Sequence, residues 1–63
     1  MNQRYFLRVY PPVRKDDDYR YVELCCRYGL AFARVVMERR MATKQIERLA
    51  KDLNLPIEYE ERP

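Results

Sequence analysis

Residues 19–38 read YRYVELCCRYGLAFARVVME, and the structure assigned to this stretch decides the fold. On a helical wheel at about 100° per residue, Arg20, Glu23, Arg27, Arg34 and Glu38 fall on one arc roughly 80° wide. Tyr21, Val22, Leu24, Cys25, Cys26, Tyr28, Gly29, Leu30, Phe32, Ala33, Val35, Val36 and Met37 take nearly all the rest. A helix on the surface of a small domain needs an apolar stripe of little more than about 100°. The pattern therefore predicts a helix over 17–39 whose apolar circumference exceeds what its own chain can cover. A partner is expected on it, with Tyr21, Cys25, Tyr28, Phe32, Val35 and Val36 as core or dimer contacts. On this reading Phe32→Asp unfolds or dissociates the protein, because burying an unpaired charge is costly.

The flanks of the stretch fit the same reading. Asp16, Asp17 and Asp18 suit the start of a helix, where carboxylates cap free N–H groups and meet the positive end of the dipole. Three consecutive carboxylates as a metal site is the weaker alternative, since their side chains diverge. Arg39 and Arg40 meet the negative end of the dipole at the C-terminus of the same helix. Gly29 costs about 1 kcal/mol against alanine in mid-helix, and its place on the apolar arc suits a close helix contact.

Beyond Arg40, Ile46, Leu49, Ala50 and Leu53 recur at helical spacing, which predicts a second helix over 43–54 capped by Thr43 and stopped by Pro56. At the other end, Tyr5, Leu7 and Val9 alternate with Arg4, Phe6, Arg8 and Tyr10, a strand over 3–10 ended by Pro11 and Pro12. Ile57 and Tyr59 alternate with Glu58 and Glu60 in a second strand over 57–61. Paired antiparallel, the two strands place arginines beside glutamates on one face. The expected architecture is one α+β domain over residues 1–63, in the order β-α-α-β. An antiparallel helical hairpin packs on a small antiparallel sheet, and dimerisation completes it.

Size supports association. A chain of 63 residues buries only about 60% of its unfolded surface and needs an added source of stability. Cys25 and Cys26 are adjacent and point apart on a helix, so they do not readily bridge each other. With no histidine and two thiols, the chain lacks a four-ligand zinc set. Free thiols suit a reducing compartment. The longest uncharged run in the stretch, Tyr28 to Ala33, is far below the roughly 20 residues of a membrane span. A soluble, cytoplasmic protein is expected.

Catalysis has few candidates. The chain has no histidine, no serine, one threonine and one glycine, so neither a nucleophile–base pair nor a glycine-rich phosphate loop can be assembled. Cys25 and Cys26 read as small packed hydrophobes. No enzyme activity, metal or cofactor is expected.

Residues 43–55, TKQIERLAKDLNL, resemble the first helix of a helix-turn-helix, in which an aliphatic residue precedes x-x-Leu-Ala-x-x-Leu. The part that enters the major groove is missing, since Pro56 and an acidic β-like segment follow. The order strand, helix, helix also resembles the ribbon-helix-helix repressors. The long first helix, the second strand and the proline pair depart from that family, and no site residue carries over.

The remaining signals are surface ones. Ten of the thirteen basic residues are arginine, and the net charge is +3. Tyrosine and arginine are favoured at protein interfaces, which makes Tyr10, Tyr19, Arg20, Arg27 and Arg34 the candidate contacts with a protein partner. The three arginines recur every seven residues on the polar arc. Arg39, Arg40, Lys44, Arg48 and Lys51 form a second, basic patch suited to phosphate. The leading expectation is a non-enzymatic interaction module, an accessory factor or inhibitor of the kind that phages and mobile elements make, acting on a macromolecular partner. The alternative is a small dimeric nucleic-acid-binding regulator. No membrane or small-molecule ligand is expected.

Overall fold

A computed structural model describes residues 4–29 and 32–60. Among these residues the chain runs β1 (Tyr5–Val9), β2 (Tyr19–Tyr28), β3 (Phe32–Ala42), α1 (Thr43–Leu53) and β4 (Ile57–Tyr59). The four strands form one mixed sheet in the order β3-β2-β1-β4. β1 and β2 are antiparallel, as are β2 and β3, whereas β4 lies parallel to β1.

This corrects the β-α-α-β expectation. The stretch predicted as one helix over 17–39 is instead a β-hairpin, β2 and β3, and no helical hairpin exists among the described residues. The reason lies in residue type. Tyr19, Tyr21, Val22, Tyr28, Phe32, Val35 and Val36 are aromatic or β-branched, and such side chains suit a pleated surface better than a helix. Gly29 has φ +70°, a backbone state that favours glycine, and it follows the last residue of β2. It turns the chain where a helix was expected to continue. The acidic run does not cap a helix either. Asp17 accepts a hydrogen bond from the Tyr19 N–H at 2.9 Å, and the Asp18 carbonyl accepts from the Thr43 N–H at 3.0 Å.

The other elements lie close to expectation. The helix predicted over 43–54 is α1, and strands 3–10 and 57–61 appear as the shorter β1 and β4. Gln3 and Glu61 of the two strand readings, and Leu30 and Ala31 of the 17–39 reading, lie outside the described residues. Ala42 occupies the N-cap position in place of Thr43, and the Gln45 side chain accepts from its N–H at 3.1 Å. Asn54 closes α1 in the left-handed conformation at φ 53°, which a short polar side chain tolerates. The expected antiparallel pairing of first and last strands is also corrected. Two hairpin turns leave β3 running in the direction of β1, and α1 carries the chain back so that β4 starts in that direction too.

Register sorts the side chains onto two faces. Leu7 and Val9 of β1 stand opposite Leu24 and Val22 of β2, on the face that α1 covers. There Leu7, Val9, Val22, Ile46, Ala50 and Leu55 form the core, with Leu24, Met41, Leu49 and Ile57 packed against it. No helix of the described residues covers the opposite face, yet Phe6 is 1% exposed and Cys25 fully buried. Side chains of the sheet itself cover them. The Arg27 guanidinium lies 4.0 Å from the centre of the Phe6 ring, and that of Arg8 lies 5.7 Å away. Arg27 in turn pairs with Glu58, while Arg8 contacts Glu23 at 3.3 Å and Glu60 at 3.4 Å.

Nothing lies within 4 Å of a Cβ built on Gly29, so substitution there meets backbone strain and no clash. Gly29→Val is expected to lower unfolding stability by about 1–2 kcal/mol, and Gly29→Asn by less. Urea denaturation followed by circular dichroism measures both, and equal losses would contradict the turn conformation.

Candidate interaction surface on the edge strand

Among the described residues β3 has β2 as its only neighbour in the sheet, so one edge of an eleven-residue strand has no pairing strand there. Every residue from Phe32 to Arg40 is exposed. Phe32 is 74% exposed, and Val36 and Met37 are 56% exposed. Long exposed edges with apolar side chains are sites where another strand can add, and monomeric proteins usually blunt them. Here the blunting consists of one irregularity and several charges. The ladder slips by one residue between Leu24 and Cys25, because Leu24 pairs with Met37 and Cys25 with Val35. Val36 is the extra residue of this bulge.

The register also places the charges of β3. Arg34 stands opposite Cys26, Met37 opposite Leu24, and Arg39 opposite Val22, all on the α1 side of the sheet. Glu38 and Arg40 stand opposite Glu23 and Tyr21, on the other side. Glu23 and Glu38 therefore face each other across the ladder, an arrangement that repels unless each is satisfied. Each has its own tyrosine. The Tyr10 hydroxyl donates to Glu23 at 2.6 Å, and the Tyr21 hydroxyl donates to Glu38. Hydrogen bonding to Glu38 pushes the Tyr21 phenol up to about 12, with smaller contributions from desolvation and nearby carboxylates. The bond to Glu23 raises the Tyr10 phenol as well, followed by desolvation. Burial raises the Cys25 thiol, which keeps it protonated and weakly nucleophilic.

The candidate contacts with a protein partner do not form one row. Arg20 and Arg34 lie on the α1 side of different strands, opposite Met41 and Cys26. Arg27 lies on the opposite side, over Phe6 and paired with Glu58. The seven-residue spacing was meaningful only on a helix. Tyr10 and Tyr21 meet with ring centres 5.3 Å apart, and Arg40 lies 6.0 Å from the Tyr19 ring while contacting Asp17 at 3.3 Å. Of the expected core or dimer residues, Cys25 is buried, whereas Tyr21, Tyr28, Phe32, Val35 and Val36 are exposed on the hairpin. Tyr5, Cys26, Tyr28, Arg34, Val35 and Val36 line a depression of about 260 Å³ beside the edge.

The basic patch is partly assembled. Arg39, Arg40 and Arg48 line one open groove of about 590 Å³ between β3 and α1, together with Tyr19, Gln45 and Asp52. Lys44 and Lys51 are exposed on α1 and do not line it. No group of three or more histidine, cysteine, aspartate or glutamate side chains among the described residues is placed to hold a metal ion. No helix among them is long and apolar enough to cross a membrane. Sequence reasoning missed the open edge and the arginine cover on Phe6. The available signal was the β-branched and aromatic content on both sides of Gly29.

The chain matches no protein-family model, no curated protein and no solved structure among those compared.

Tyr21 is expected to ionise near pH 12, and Glu38→Gln is expected to return it toward the ordinary tyrosine value near 10. Ultraviolet titration of the wild type and the variant, with Tyr21→Phe to assign the signal, measures the difference. Unchanged titration in Glu38→Gln would show that this hydrogen bond does not form.

Proposed function

We propose that this chain is a non-enzymatic protein-interaction module that engages a macromolecular partner along the open edge of β3. The observation that carries the reading is the exposure of Phe32, Val36 and Met37 on a strand with no neighbour on one side among the described residues. Strand addition gains main-chain hydrogen bonds from the edge and specificity from the side chains beside it. Exposed apolar side chains there add the contact area that a polar edge lacks. The module acts by occupying a partner's surface, as an accessory factor or inhibitor does. A reducing, cytoplasmic setting belongs to the same reading and is favoured by two free, buried cysteines.

A second reading rests on the groove that Arg39, Arg40 and Arg48 share, which suits phosphate groups of a nucleic acid. Asp52 lies in the same groove and Arg40 is engaged by Asp17, so the local charge is smaller than the arginine count suggests. Phosphate-driven binding falls steeply with salt. Absence of retention on single- or double-stranded oligonucleotides at about 50 mM salt would exclude this reading.

Phe32 provides the test of the first reading, and its exposure reverses the expected effect of Phe32→Asp on folding. The variant is expected to stay folded, within about 0.5 kcal/mol of wild type, as for most surface substitutions. It is also expected to lose the proteins that the immobilised wild-type chain retains from a lysate. Retention of the same proteins by folded Phe32→Asp and Met37→Lys variants would sink the edge reading.

A further inference from the structure

We infer that the occupant of the β3 edge is an extended segment of another protein in which acidic and apolar residues alternate on one face. The inference rests on the edge reading above and adds the chemistry of the partner. It starts from charge. Arg34 and Arg39 both lie on the α1 side of β3, and neither has an ion pair among the described residues. Phe32 and Met37 share that side, opposite Tyr28 and Leu24. The helix-side surface of the edge thus runs Phe32, Arg34, Met37, Arg39, apolar and cationic by turns.

A second copy of the chain does not satisfy it. Two identical edges pair antiparallel about a twofold axis perpendicular to the sheet, so each face continues into the same face of the copy. On the α1 side β3 carries cations and no carboxylate, because its one acid, Glu38, lies on the other side. No register of β3 against itself can put a carboxylate directly opposite Arg34 or Arg39. Some registers put these arginines opposite one another, which repels. A second β3 therefore cannot supply the carboxylates, and those at the sheet's other edge, Glu58 and Glu60, stand two residues apart and are already paired with Arg27 and Arg8.

The bulge sets the spacing of the partner's carboxylates. Arg34 and Arg39 are five residues apart on β3, but their partners on β2, Cys26 and Val22, are four apart. A regular strand added on the outer side follows the four-residue step. Its acids therefore stand four apart with an apolar residue midway, facing Met37, and another apolar residue beyond, facing Phe32. Directly opposed side chains on neighbouring strands lie about 4.5–5.5 Å apart at Cβ, close enough for ion pairing. The backbone supplies the hydrogen bonds that a nucleic acid strand cannot, which favours a peptide for this edge.

The probe is a fluorescein-labelled peptide, Ile-Thr-Glu-Thr-Ile-Thr-Glu-Thr-Ile, which presents the pattern in either strand direction. Its binding to the full chain is followed by fluorescence anisotropy, and hydrogen exchange maps the site. Binding is expected with new amide protection between Phe32 and Arg40. A peptide with lysine in place of glutamate is expected to bind at least about tenfold more weakly, and the Arg34→Glu/Arg39→Glu variant is expected to reverse that preference. Equal binding of the two peptides, protection mapped elsewhere, displacement by an oligothymidine strand, or a β3 already protected by self-association would each overturn the inference. If the glutamate peptide fails while Phe32→Asp still abolishes partner retention, the acidic pattern is wrong and the edge reading survives. If partner retention is indifferent to Phe32→Asp, the edge reading itself fails.

Discussion

One eleven-residue helix must close the core of a four-stranded sheet, and most of the architecture follows from that inequality. With its side chains a helix is about 10 Å across. Strands lie about 4.8 Å apart, so the outer strands of four are roughly 14 Å apart. The helix seals the middle of the sheet, where Leu7, Val9 and Val22 meet Ile46 and Ala50. β3 reaches the helix only at its C-terminal end, where Met41 packs against the core, and stays exposed along the rest of its length. The bare edge is thus a geometric remainder of a small fold, and its composition turns the remainder into a surface for recognition.

The face without a helix is closed by other means. Phe6 and Cys25 are as buried as the main core, and among the described residues it is the arginines of the sheet that lie over Phe6. Arginine is suited to this work, because its planar head stacks on an aromatic ring while its stem shields apolar surface. Glu58, Glu60 and Glu23 hold the two guanidinium groups in place. Exposed ion pairs contribute little individually. Their role here is to fix the position of the cover, and the shielding of Phe6 is what the cover achieves.

Much of this was legible in the residues, and the central error has a definite cause. Ile46, Leu49, Ala50 and Leu53 announced α1, and the alternation around Leu7 and Val9 announced β1. The hairpin was hidden because both of its faces carry apolar groups. Val22, Leu24 and Cys26 point toward α1, while Tyr19, Tyr21 and Cys25 point away, so period-two alternation is blurred in β2. A helical wheel then collected Arg20, Glu23, Arg27, Arg34 and Glu38 onto one arc that has no counterpart in the sheet. Gly29 was the decisive residue, and its positive φ marks the turn that a mid-helix reading overlooked. Surface residues fared by how far their placement depended on that helix. Arg39, Arg40 and Arg48 converge on one groove, whereas Arg20, Arg27 and Arg34 are scattered.

The pairing of β1 with β4 joins residues about fifty positions apart, Leu7 with Ile57 and Val9 with Tyr59. Contacts so distant along a chain form late, because a large loop must close before they contribute. The β2–β3 hairpin needs only its own turn. During synthesis the hairpin can therefore assemble while the sheet still lacks its fourth strand and Leu55 has not yet sealed the core. Until β4 arrives, the five-residue β1 is itself a margin of the sheet, and a nascent chain exposes it alongside β3.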